Sequence, residues 1–133
     1  MIKEYKTLWS IPNNIGYFIS SNEQGHSHDQ YKYANFSFKV GDRENSVQSN
    51  INDLKNLCSI NNIAFMNQMH TNKTRELIYY KNNTNTDGIF TRNKKIACAV
   101  LTADCIPLLV TDKLGSFIGC IHAGWRGLKS NII

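Results

Sequence analysis

A chain of 133 residues with 41% apolar and 19% charged side chains is long enough for one buried core and too short for two ordinary ones, so disorder and a tandem-domain plan are both excluded. The longest apolar run, residues 106–110, is broken by Pro107 and closed by Thr111 and Asp112, and no apolar stretch follows Lys3 and Lys6; neither a membrane span nor a secretion signal is expected, which points to the cytoplasm. The net charge of +5 and the pI near 9.1 come from scattered lysines in a chain with 17 asparagines, not from a basic stripe, so nucleic acid is not an expected partner.

In chain order, residues 15–20 read as a first strand, and the polar stretch 21–30, with Gly25, His26 and His28, as an exposed loop. Residues 31–40 place Phe36, Phe38 and Val40 two apart, the alternation of a second strand. Asp42 is a good N-cap for a helix over 43–59, where Val47, Ile51, Leu54 and Leu57/Cys58 recur at helical spacing. Cys58 then belongs to the buried face.

After an Asn61-Asn62 turn, residues 63–69 form a strand ending at His70, with 76–80 as its continuation or partner. The Asn-rich residues 82–85 turn the chain, and 88–91 are short and β-like. Lys94-Lys95 turns again. Two apolar runs, 96–101 and 106–110, flank Thr102-Ala103-Asp104-Cys105, residues 117–121 are the last strand, and 128–133 have the pattern of a helix just starting.

Four cysteines, at positions 58, 98, 105 and 120, lack any CxxC pair, which argues against a zinc ribbon and against a thioredoxin-like centre; reduced thiols or metal ligands are the better reading. His70, Cys105 and His122 each fall at a strand end or strand break, and such ends face the rim of a sheet, where α/β folds bind ligands. Thiolate sulfur and imidazole nitrogen suit zinc, and three protein ligands leave a fourth position for water or substrate. Copper accepts the same donors. Spacing alone leaves this open against three unrelated core and polar residues.

At LTADCIP (101–107) and HAGWRGL (122–128) the sequence closely resembles the YfiH family, which has been called the multicopper polyphenol oxidase or laccase-domain family and is associated with purine nucleoside phosphorylase activity. NQMH at 67–70 looks like its third motif, and TDGIFT at 86–91 matches the segment before the cysteine. The resemblance implies that His70, Cys105 and His122 are zinc ligands. It also implies phosphorolysis of adenosine, inosine or guanosine to a free base and ribose 1-phosphate, with adenosine deamination and methylthioadenosine cleavage as associated activities; purine nucleoside and phosphate are then the small-molecule partners.

The fold implied is a layered α/β/β/α arrangement. The expectation is one α/β domain over 1–133 holding the N-terminal half to two-thirds of that fold, since the family continues beyond the HAGWRG motif. Family members also carry an arginine and a Gly-Gly turn after the first strand, where this chain has SSNEQG at 20–25. Asn35 looks like the family's asparagine in the following strand and is a candidate substrate contact.

Around the three ligands, each residue has a chemical and a structural reading. Asp104 either acts as a general base or orients a ligand, or it fixes the 102–105 turn. Arg126 contacts phosphate or forms an ion pair; Trp125 stacks on a purine or packs on the sheet. Cys98 and Cys120 are expected in the core, Asp87 in a turn, and His26 and His28 on the surface.

Three functions follow: a zinc-dependent purine nucleoside phosphorylase, a non-catalytic metal-binding remnant of that family, and a copper-dependent phenol oxidase. The last is weakest, because one mononuclear site falls short of multicopper chemistry. The sequence specifies no oligomeric state.

Overall fold

The computed structural model describes residues 10–133; the N-terminal stretch with Lys3 and Lys6 lies outside the described residues. Contacts divide the described residues into two compact units, one made of residues 10 and 16–61 and the other of 11–15 and 62–133. Among the described residues, no helix is long and apolar enough to cross a membrane.

The first unit is built on helix α1, Glu44–Cys58, one residue shorter at each end than its periodicity predicts. Val47, Asn50 and Ile51 are its buried positions, the i, i+3, i+4 stripe of an amphipathic helix. Asp42 is not the cap. Arg43 takes that position without a side-chain bond, and the Asp42 carboxylate accepts the Arg43 N–H at 2.7 Å. At the other end Ser59 adopts a left-handed conformation, φ 51°, and closes the helix. Cys58 is exposed rather than core, because burial along α1 is concentrated in its first half and residues 56–58 all face solvent.

The two strands expected before α1 do not form. Only Ser20 makes an isolated bridge in 15–20, and 31–40 is irregular, opening on a short 3-10 turn, Asp29–Tyr31, and turning again at 38–39. The reason is competition from side chains for the backbone. Asn35 folds back on Ser37, accepting its N–H at 2.9 Å and donating to its carbonyl at 3.1 Å, and donates to Asp42 at 3.0 Å. Ser37 in turn accepts the Lys39 N–H at 3.2 Å. Asn50, fully buried on α1, then takes the carbonyls of Tyr33 (3.4 Å) and Asn35 (2.8 Å), bonds the Ser27 hydroxyl (3.0 Å) and accepts the His26 N–H (2.7 Å). Those backbone groups are no longer available to a ladder.

The second unit carries two sheets. Strands β1 (Ile63–Asn67), β3 (Thr84–Asn85) and β5 (Ala97–Ala99) form a parallel sheet in the order β3-β1-β5. Strands β2 (Thr74–Glu76), β4 (Gly88–Thr91), β6 (Ile106–Thr111) and β7 (Ile118–Ala123) form a mixed sheet in the order β2-β4-β7-β6, with β2 parallel to β4 and the other pairs antiparallel. Ala64 and Met66 from the first sheet meet Ile89 and Cys120 from the second in one core with Leu77 and Ile96. The architecture is therefore mixed α/β, as expected.

Several boundaries move. The segment read as 76–80 is strand only over Thr74–Glu76, and it pairs with β4, not with β1; after the buried Leu77, residues Ile78, Tyr79 and Tyr80 are exposed. In the Asn-rich turn, Asn82 accepts the Phe65 N–H at 2.9 Å and Asn83 has a φ of 54°, so the chain reverses in time for Thr84 to pair with Met66. The last strand runs to Ala123, which places His122 inside β7 opposite Pro107. Helix α2, Trp125–Lys129, starts three residues before its expected position, with Gly124 as its N-cap.

Candidate metal centre

His70 lies three residues beyond β1, on the turn between β1 and β2. Cys105 immediately precedes β6, and His122 is the fifth residue of β7. Three elements distant in sequence thus converge: one ligand atom from each of the three residues lies within 4.8 Å of the others. Burial is graded across the group, from His122 (3% exposed) through half-buried Cys105 to exposed His70. The imidazoles of His70 and His122 meet edge to face with centroids 4.7 Å apart. Among the described residues this is the one such group of metal-ligating side chains.

Gly124 opens the centre. A Cβ there would stand 3.2 Å from the Cys105 Sγ, 3.3 Å from the His70 Cδ2 and 3.6 Å from the His122 Cε1. The absent side chain leaves room beside all three donors at once. Two imidazoles and a thiol at this separation fit a zinc or a copper ion by donor chemistry.

The turn that carries His70 is tied on two sides. Gln68 donates to the Leu101 carbonyl at 2.7 Å and accepts the Leu101 N–H at 2.8 Å, so its amide acts like one rung of a ladder and holds the segment leading to Cys105 against the one leading to His70. On the other side stands Asp87, whose carboxylate is fully buried. It accepts the N–H groups of Met69 (3.2 Å), His70 (2.9 Å) and Thr71 (2.7 Å), and the Thr71 hydroxyl (2.8 Å). His122 Nδ1 lies 2.9 Å from its Oδ1.

His70 itself sits in the left-handed region, φ 57°, which costs an L-residue about 1–2 kcal/mol. The convergent N–H groups offset that cost. Burial alone would push the Asp87 carboxyl up, but the bonds from His122, Thr71 and His70 outweigh it and hold the group below the ordinary carboxylate range. Asp87 therefore shapes a turn, as the sequence suggests, and also touches His122, which the sequence does not reveal. The signal was the aspartate inside TDGIFT, read there only as a turn residue.

The other candidates are distributed differently. Asp104 is exposed and makes no hydrogen bond among the described residues, so it neither fixes the 102–105 turn nor holds a ligand. Arg126 makes no ion pair among the described residues; its guanidinium lies over the Trp125 ring, 4.6 Å from the centroid. Trp125 is 65% exposed and does not pack into the sheet. Asn35 spends its amide on the Ser37 and Asp42 bonds. Cys120 is fully buried, its thiol pushed well up by burial, and Cys98 is pushed up to about 12 for the same reason. His26 and His28 are exposed, and His26 contacts Asp53 at 3.1 Å.

The family described as multi-copper polyphenol oxidoreductase laccase matches residues 16–133. A protein named purine nucleoside phosphorylase from Haemophilus influenzae is 32% identical over 126 residues, covering 94% of this chain and 52% of that protein. The purine nucleoside phosphorylase YfiH of Shigella flexneri is 27% identical over 130 residues, with the same two coverages. In structure, a Neisseria meningitidis protein superposes with a TM-score of 0.87 at 28% identity, over 98% of this chain and 53% of the other. A Bacillus licheniformis protein with the name YfiH gives 0.81 at 23% identity, over 86% and 48%. The chain spans about half the length of the curated relatives it matches.

Proposed function

This chain belongs to the multi-copper polyphenol oxidoreductase laccase family, the YfiH family, and from that premise we propose that it contributes the metal centre of a zinc-dependent purine nucleoside phosphorylase. The observation that carries this reading is the convergence of His70, Cys105 and His122 in a chain whose relatives bear the phosphorylase name. His70, Cys105 and His122 hold the ion. Zinc held there would supply a Lewis acid.

In phosphorolysis a phosphate oxygen bonds to C1′ of the ribose as the C1′–N9 bond breaks; the bonding pair leaves with the purine, which takes up a proton. Arg126, a cation that makes no ion pair among the described residues, is suited to the phosphate, and the exposed Trp125 ring beside it to the purine face. Asp104, exposed and adjacent to Cys105, is assigned the proton exchanged with the base. Adenosine, inosine and guanosine are the proposed substrates, and methylthioadenosine cleavage and adenosine deamination belong to the same proposal.

Copper fits the donor set as well as zinc, and the family's description carries that metal. Polyphenol oxidation ranks behind phosphorolysis because the described residues offer one group of ligands, where multicopper chemistry uses several ions. A metal-binding remnant without turnover is the remaining reading.

Metal analysis with a phosphate-dependent inosine assay tests the proposal. Stoichiometric zinc and ribose 1-phosphate are expected; zinc without ribose 1-phosphate removes the phosphorylase half. Cys105→Ala should abolish metal retention, and zinc that persists in that variant refutes the ligand set.

A further inference from the structure

We propose that Asp87 is the positioning residue of the metal centre, a single buried carboxylate that fixes the tautomer of one ligand and the backbone of another before any ion arrives. The proposal rests on reading His70, Cys105 and His122 as ligands and not on which reaction they serve.

An ionised carboxylate only accepts hydrogen bonds. Every group within bonding distance of the Asp87 carboxylate is suited to donate: the N–H groups of Met69, His70 and Thr71, the Thr71 hydroxyl and His122 Nδ1. Facing Oδ1 at 2.9 Å, Nδ1 of a neutral His122 must carry the proton, which leaves Nε2 with its lone pair for a metal. The same Oδ1 accepts the His70 N–H and so holds the left-handed turn that presents the second ligand.

Asp87 is itself fixed from the backbone. Its N–H bonds the Lys73 carbonyl at 3.0 Å and its carbonyl accepts the His122 N–H at 2.7 Å. It sits in the link between β3 and β4, where the chain passes from one sheet to the other. The histidine and its partner are thus coupled through main chain and side chain together.

Asp87→Asn keeps the shape but not the chemistry. Its NH2 must face either His122 Nδ1, favouring the tautomer with the proton on Nε2, or Thr71, whose N–H it cannot accept. The test uses the whole chain, with zinc as the probe and a chromophoric chelator as competitor, and long-range nitrogen-15 spectra of the metal-free protein to identify the His122 tautomer. The unaltered chain should show Nδ1–H without metal, and Asp87→Asn should bind zinc about 10–100-fold more weakly. Thr71→Ala, which removes a hydroxyl donor from the same carboxylate, should lower stability while leaving tautomer and zinc affinity close to those of the unaltered chain.

An Nε2–H tautomer in the unaltered metal-free chain overturns the proposal without need of a variant. Unchanged zinc affinity in Asp87→Asn beside lost affinity in Cys105→Ala overturns it alone. Absence of zinc binding by the unaltered chain overturns the ligand assignment and this proposal with it.

Discussion

Each unit of this protein is organised around one fully buried polar side chain, and the two differ in what they can exchange. Asn50, in the first unit, accepts one N–H and donates to a hydroxyl and two carbonyls. Asp87, in the second, only accepts. An amide satisfies a loop whose free backbone groups are of both kinds, and the result is a fold held where strands were expected. A carboxylate requires donors on every side, and one of those donors is an imidazole whose protonation is thereby set. Burial is the same; only the second arrangement touches the cluster of His70, Cys105 and His122.

Truncating each group breaks the comparison most directly. Asp87→Ala should destabilise the metal-free chain by about 4 kcal/mol in urea unfolding, because charge-assisted bonds are the stronger kind and several donors lose their acceptor. Asn50→Ala should cost about 3 kcal/mol. Amide exchange separates the two: His70 and Thr71 should lose protection in the first variant, His26 in the second. Equal losses at both sites in either variant would show that the two groups do not act locally.

Gly124→Ala touches neither group and should cost only about 1 kcal/mol of stability. It should nonetheless weaken zinc binding by about tenfold in chelator competition, since the new methyl group crowds Cys105 and His70.

Acid acts on both units. Asp42 is held below the ordinary carboxylate range, first by a bond from the Ser27 hydroxyl, Asp87 by the bonds described above, and Asp112 first by the Ser116 hydroxyl. A folded-state pKa below the unfolded value stabilises the fold above about pH 4 and loses that contribution as pH falls through the folded value. Melting temperature should therefore be level near neutrality and drop below about pH 4. The smallest effect is on thiol labelling at neutral pH: Cys105 should react before Cys98 and Cys120, whose thiols burial holds protonated, and zinc should protect it.

Much of the second unit was legible because its strands carry local signals. Residues 63–67, 88–91 and 106–111 stand where apolar runs and turn residues put them. The 31–40 region failed for a long-range reason. Phe36, Phe38 and Val40 alternate as a strand would, but the decisive partner, Asn50, lies 15 to 24 residues away from the backbone groups it binds, and periodicity does not register a buried amide. Cys58 kept helical spacing with Val47 and Ile51, yet spacing does not say how far along a helix burial extends.

His70, Cys105 and His122 are legible by residue type and motif, whereas the carboxylate that bonds the two histidines is not. Asp104 drew attention because it adjoins Cys105 in sequence. Asp87 is 35 residues from His122, and only the pairing of β4 with β7 makes them neighbours.

His122 sits inside β7, paired on one side with β6 and on the other next to the β4 register. Side chains alternate across a strand, so a one-residue slip turns every one of them to the opposite face. The geometry of the His70, Cys105 and His122 cluster therefore depends on sheet parity. A single-residue insertion or deletion between Gly119 and His122 would turn the imidazole away from Cys105 in one step.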